Sequence, residues 1–336
     1  MKNLVLAAAL AVSLPTISIA DTIQIQSSAL AGSWEYEFYG EWSQKFNDLT
    51  GPDGAKIEIL PFNAVVPFAE VMDATVAGLL GGDMNAVAYY TGREPAFALL
   101  GDLIGAYNTP DQATVFCHHG GGKELLQKAY DQVQPNQLVV VGCGAFSSEG
   151  LVINKPVHGP QDLAGMKLRA PAGIAGELFT RFGAAPVSIP WGEIADAIDK
   201  GTIDGADASS YSTNSGQGFH KASGHALYPG VHSMAVIQLT LSKAAYDSLS
   251  NTEKTLLDMW YWGLMSDMTN LSELRDKEAV AKDLKDGIVV IDWSAEARTE
   301  LREMAAKIWP DFGAQSPLAQ EVLDAQMAYL KQLGLL

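Results

Sequence analysis

Three features of this 336-residue chain predict an α/β protein of two domains: strand-like and helix-like segments alternate, the length exceeds what one hydrophobic core organises, and one proline-free helical stretch runs from Ser250 to about Leu284. Short β-branched or alternating runs mark strands at Thr22–Gln26, Lys56–Leu60, Met84–Ala88, Gln137–Val141, Met166–Ala170, Val236–Leu241 and Ile288–Ile291. Helical periodicity fills the gaps at Trp34–Leu49, Phe68–Leu80, Lys123–Val133, Ile174–Phe182 and Trp191–Lys200, the last opened by Pro190 at a first-turn position. Ser250-Asn251-Thr252-Glu253 is a capping-box pattern. The helix it opens is far longer than the ordinary 11 to 12 residues or so, and a helix of that length usually bridges two bodies. Gly263 is its one weak point, costing about 1 kcal/mol relative to alanine. Two amphipathic helices, Ala295–Trp309 and Ser316–Leu333, close the chain.

The first residues set the compartment. Lys2 precedes an apolar run from Leu4 to Leu14, and Ser18-Ile19-Ala20 puts small residues where a signal peptidase reads, so residues 1–20 read as a signal peptide cleaved after Ala20. The apolar run is too short for a stable anchor, and no later segment approaches the roughly 18 to 20 apolar residues of a spanning helix. Loss of Lys2 takes the formal charge from −17 to −18. Nucleic acid and anionic membrane are therefore poor partners. Cys117 and Cys143 are the only cysteines; in an oxidising compartment they form one disulfide or remain two buried thiols, and spacing alone does not choose.

Catalytic signatures fail on inspection. His118-His119-Gly120-Gly121-Gly122 resembles an esterase oxyanion loop, but Ser147, Ser148, Ser215 and Ser223 each fail at one or both flanking glycines of a nucleophile elbow. The HEXXH zinc motif and the phosphate-binding loop are absent, and Gly142-Cys143-Gly144 does not continue to the third glycine of a dinucleotide site. No catalytic residue is expected, and a glycine loop before a helix is the favoured reading of Gly120–Gly122.

One long block carries more information. It runs Asp162-Leu163-Ala164-Gly165-Met166-Lys167-Leu168-Arg169, then Gly183-Ala184-Ala185-Pro186-Val187, then Ala197-Ile198-Asp199-Lys200-Gly201-Thr202-Ile203-Asp204-Gly205. In this order the chain resembles the solute-binding proteins of TRAP (tripartite ATP-independent periplasmic) transporters. Tyr89-Tyr90 with Pro95-Ala96-Phe97, His119-Gly120-Gly121-Gly122 and Tyr228-Pro229-Gly230 look most like the branch that binds 2-oxo or 2-hydroxy acids. The resemblance implies a two-domain periplasmic solute-binding fold with a long helix spanning both domains and a solute buried between them. The expected division is residues 21–144 plus about 232–265, and residues 145–231 plus about 266–336. It also implies a periplasmic location, membrane permease subunits as partners and uptake driven by an ion gradient; a homodimer is left open.

For the site, a strand ending Lys167-Leu168-Arg169 turns Leu168 to a core and Arg169 to the other face. A planar guanidinium grips a carboxylate with two parallel bonds, and in the family the matching arginine holds the ligand carboxylate. A surface salt bridge is the plain alternative. Trp34, Tyr89, Tyr90 and Phe146 fall where the family lines its cleft, although each also suits a core; Trp191, at a helix start, suits packing. The nearest branch holds a metal ion with a glutamine and a Glu-Trp pair, where this chain has Ser148, Asp207 and Ala208, with an extra acid at Glu149. We expect no metal and no cofactor on that departure, a sodium or calcium ion beside the solute being the alternative. A small organic acid is the favoured solute. The runner-up is a small amine or amino alcohol with Glu149 and Asp207 as counter-charges, and a periplasmic hydrolase is the alternative of another class.

Overall fold

Residues 22–336, apart from residue 172, are described by a computed structural model. The signal segment and its expected cleavage after Ala20 lie outside the described residues. The described strands are β1 (Thr22–Ser27), β2 (Lys56–Leu60), β3 (Gly82–Met84), β4 (Leu138–Ala145), β5 (Leu151–Ile153), β6 (Lys167–Arg169), β7 (Ala185–Val187), β8 (Gly205–Asp207), β9 (His225–Leu227), β10 (Val236–Ser242) and β11 (Val289–Ile291). They form two sheets, ordered β2-β1-β3-β10-β4 and β11-β9-β5-β8-β6-β7. In the first, β1 runs parallel to β2 and β3, while β10 lies antiparallel between β3 and β4. Every residue of β10 is buried, as a continuous run such as Val236-Ile237-Gln238-Leu239 in a central strand requires.

The chain passes between the sheets three times. Residues 146–150 lead from β4 to β5, residues 228–235 return from β9 to β10, and the helix Asn251–Lys285 crosses a third time. The two strand crossings are pinned where the Glu149 N–H donates to the Ser233 carbonyl at 2.9 Å, an isolated antiparallel bridge. The long helix is unbroken, opens on the expected Ser250–Glu253 capping box and touches both bodies. Its first half buries Leu257, Trp260, Leu264 and Met268 against the first sheet. Further along, the Asp276 carboxylate accepts the Ser212 N–H at 2.7 Å and Asp283 accepts the Ser215 hydroxyl at 2.8 Å, on the side of the second sheet. Among the described residues no helix is long and apolar enough to cross a membrane.

The C-terminal helices Ala295–Gly313 and Pro317–Gln332 reach back to the first part of the chain. The Trp309 indole N–H donates to the Ile104 carbonyl at 3.1 Å, and the Gln326 amide to the Leu99 carbonyl at 2.7 Å. Cys117 and Cys143 are disulfide-bonded with Cα atoms 5.8 Å apart, fastening the helix Pro110–His119 to β4.

Several boundaries differ from expectation for local steric reasons. The strand expected at Met84–Ala88 lies at Gly82–Met84, since the chain turns into a short 3-10 helix at Val87–Tyr90; Gly82 itself packs so closely that a Cβ would come within 2.6 Å of Leu241. The helix expected at Phe68–Leu80 is a 3-10 turn Phe68–Glu70 followed by Val71–Val76, ending before Gly78 at φ 75°. The helix at Trp191–Lys200 divides likewise into Trp191–Glu193 and Ile194–Asp199. The helix Pro110–His119, absent from the sequence reading, contains His118 and His119, and the His118 ring stacks on Trp262 with centroids 4.1 Å apart.

Candidate functional site

Parallel pairing of β6 with β8 brings their C-terminal residues, Arg169 and Asp207, to one edge of the second sheet. Open α/β sheets bind ligands at such edges. Leu168 is fully buried in the core, as the alternation requires, and Arg169 is 7% exposed on the opposite side. Its guanidinium is held by backbone carbonyls: Nε donates to Ile189 at 3.3 Å and Nη1 to Asp207 at 2.7 Å. Nη2 takes part in neither bond. Arg169, Asp207, Glu149, Tyr89, Asp102 and Ser233 line one cavity.

The acids in that cavity are spoken for by protein groups. Asp207, 2% exposed, has Oδ1 2.8 Å from His232 Nε2. Burial pushes its carboxyl up, but His232 and then Arg169 more than offset this and hold it below the ordinary carboxylate range. Glu149 Oε2 lies 2.7 Å from the Ser233 hydroxyl, which also lies 2.5 Å from Asp102 Oδ2. One hydroxyl proton cannot serve both oxygens, so one of the two contacts is made with a carboxyl proton. Burial, reinforced by the Asp207 charge, raises Glu149 well above its usual value, and burial pushes Asp102 up to about 7. Tyr89, also in the cavity wall, is raised by burial against the opposing pull of Arg169.

The other expected site residues scatter. Tyr90 is a correction: it is 1% exposed, its hydroxyl donates to Asp83, and its ring packs edge-on against Phe97 and Tyr130, so it belongs to the core of the first body. Phe146 lines a neighbouring cavity together with Trp191, Ser209 and Glu35. Trp34 lines neither of these two cavities; its ring sits under the Arg275 guanidinium, 5.3 Å from the centroid. Ser148 is half-buried and outside both linings.

His232, Asp102, Ser233 and Glu35 were not singled out from the sequence. Asp102 left a readable trace, being the lone acid in the apolar run Ala96–Ile104. His232 and Ser233 follow Tyr228-Pro229-Gly230 with no motif of their own, and Glu35 looks like an ordinary first-turn helix acid.

The family model for bacterial extracellular solute-binding protein, family 7, matches residues 27–316. The chain belongs to that family. A TRAP periplasmic solute-binding protein from Rhodobacter sphaeroides, in an apo open structure, is 33% identical to it, with 94% of this chain and 99% of that one aligned and a TM-score of 0.75. The monocarboxylate 2-oxoacid-binding periplasmic protein of Nostoc sp. is 25% identical over 83% of this chain and 76% of its own length. A TRAP solute-binding protein from Colwellia psychrerythraea with bound calcium and pyruvate shares the fold at 20% identity, with 94% of this chain and 95% of that one aligned and a TM-score of 0.80. This protein is thus a periplasmic solute-binding receptor of the TRAP type, and its family consists of receptors. An ion such as the Colwellia calcium fits poorly here. Ala208 offers no side-chain donor, Asp207 Oδ1 faces His232 Nε2, and Ser148 stands outside the cavity.

Proposed function

We propose that this receptor captures a small organic acid between its two sheets, anchors the carboxylate on Arg169 and hands it unchanged to the permease subunits of its transporter. The buried guanidinium carries the reading. Two carbonyls fix its plane where Arg169 lines the cavity, an arrangement that holds a donor fork ready for a carboxylate. The proton shared among Asp102, Ser233 and Glu149 makes the cavity less negative than three acids imply, which favours an anionic guest. The Nostoc relative, a monocarboxylate 2-oxoacid-binding protein, points the same way.

Capture without turnover is the role this reading assigns, in keeping with a family of solute-binding proteins. The two bodies divide at 144/145 and about 231/232, with the helix Asn251–Lys285 crossing between them and the C-terminal helices packed back on the first, and they close over the solute. Tyr89 forms part of the wall around it.

Isothermal titration with lactate and pyruvate tests the assignment. Arg169→Lys, which keeps the charge but loses the planar fork, should weaken binding about 10- to 100-fold while the melting temperature stays within a few degrees. Equal affinity in the two proteins would remove Arg169 from the site. Dialysis against a chelator should leave the wild-type affinity unchanged; a loss restored by calcium would show that an ion assists after all.

A further inference from the structure

The second cavity contains an acid whose needs the protein does not meet. Glu35, in the first turn of the helix Trp34–Thr50, is 6% exposed and lines this cavity. One carboxyl oxygen, Oε1, accepts the Thr213 hydroxyl across the interface between the bodies, while Oε2 is buried with no hydrogen-bond partner. A carboxylate in that state is costly unless it gains a proton or a cation. The nearby cation, Arg275, lies over the Trp34 ring and does not line the cavity. Asp276, from the long helix, adds like charge; Ser33 and Thr213 supply hydroxyls, and Tyr39 faces Glu35 from its own helix. Burial pushes Glu35 up to about 7.

The remaining wall consists of Tyr39, Phe146 and Trp191, with Met268 and the hydroxyls of Ser28 and Ser209. A carboxylate oxygen among aromatic rings is the chemistry that receives an alkylammonium group, combining charge with attraction to ring faces. The two cavities are lined by neighbouring stretches of chain, Ala208 in the first and Ser209 in the second, with Ala235 and Ile237 dividing in the same way. By contrast Glu149 and Asp207, the acids first expected to meet an amine, already face Ser233 and His232.

We infer that the Glu35 compartment is a cation subsite that takes a small ammonium group of the solute. The inference rests on the reading of the Arg169 cavity as the carboxylate anchor and sharpens it: the preferred solute is an acid that also carries an amine. Closure is needed to form the subsite, because Glu35 and Ile237 come from the first body and Trp191, Ser209 and Thr213 from the second.

Calorimetric titration with lactate, ethanolamine, β-alanine and 4-aminobutanoate tests it. At least one amino acid of the pair should bind the wild type tenfold or more tighter than lactate or ethanolamine. Glu35→Gln should erase that advantage and leave lactate within twofold of its wild-type affinity. Arg169→Lys should weaken all three acids, so failure of the anchor shows itself separately. Thr213→Val, which removes the partner of Oε1 but keeps Oε2, should retain the preference and guards against a Glu35 variant that folds poorly. The inference is overturned if the amine-bearing acids bind no tighter than lactate, if none of the probes binds, or if Glu35→Gln leaves their affinities unchanged.

Discussion

Ser233 owns a single hydroxyl proton and stands between two carboxyl groups, and that fact governs how the cleft responds to pH. Asp102 keeps its proton to about 7 in the folded protein but releases it near pH 4 once unfolded. The folded state therefore binds more protons between those values, so the stability tied to Asp102 falls as pH rises from about 4 to about 7 and stays reduced above. Asp102→Asn cannot ionise and still offers an N–H to Ser233. Urea melts at pH 4, 6 and 8 should show it gaining on the wild type with each step, by a few kcal/mol at pH 8, at 1.36 kcal/mol per pKa unit. A difference that does not change with pH would contradict the shared proton. At this scale legibility followed local pattern. Arg169 was readable because strand alternation set its face, whereas Tyr90 differs from Tyr89 only in which way a 3-10 turn aims it. Glu35 becomes special only through Thr213, 178 residues away.

Elements were legible where a signal spans many residues. The capping box and lack of proline predicted Asn251–Lys285 almost to its ends, and Glu253 does more than cap, since its Oε1 also accepts the Ala55 N–H at 2.7 Å. The three-residue strands β5, β7, β8 and β9 have too little alternation to read, whereas the equally short β6 and β11 sit inside the longer patterned runs Met166–Ala170 and Ile288–Ile291. Gly263 has a packing reason that sequence did not show: a Cβ there would lie 3.0 Å from the Trp42 ring. That ring is held by its indole bond to Asp267 at 3.2 Å and by Lys45 above its face. Gly263→Ala should consequently fail to deliver the helix-propensity gain of about 1 kcal/mol. Chemical denaturation that showed the full gain would mean the Trp42 ring yields freely.

At the scale of the whole molecule, residues that line the Arg169 cavity are also residues that join the two bodies. Glu149 and Ser233 lie on the two strand crossings, and their backbone bridge sits beside the Asp102, Ser233 and Glu149 carboxyl cluster. Movement of one sheet relative to the other must therefore pass through the cavity wall, which links occupancy to closure without any separate relay. Gly230 fits tightly against this junction: a Cβ there would stand 2.4 Å from the Glu149 carbonyl oxygen, and a backbone atom at a crossing yields only if the crossing shifts. Gly230→Ala should therefore part the strands, separate Glu149 from Ser233 and weaken binding of lactate or pyruvate about tenfold or more, although no side chain of the cavity has changed. Small-angle scattering should show the wild type growing more compact on saturation with the same probe and the variant responding less. Gly216→Ala, placed in open space at the end of the helix Tyr211–Gly216, is the matched control and should bind as the wild type does. Wild-type affinity and wild-type compaction in Gly230→Ala would show that closure does not run through these crossings, leaving the helix Asn251–Lys285 as the remaining connection about which the bodies turn.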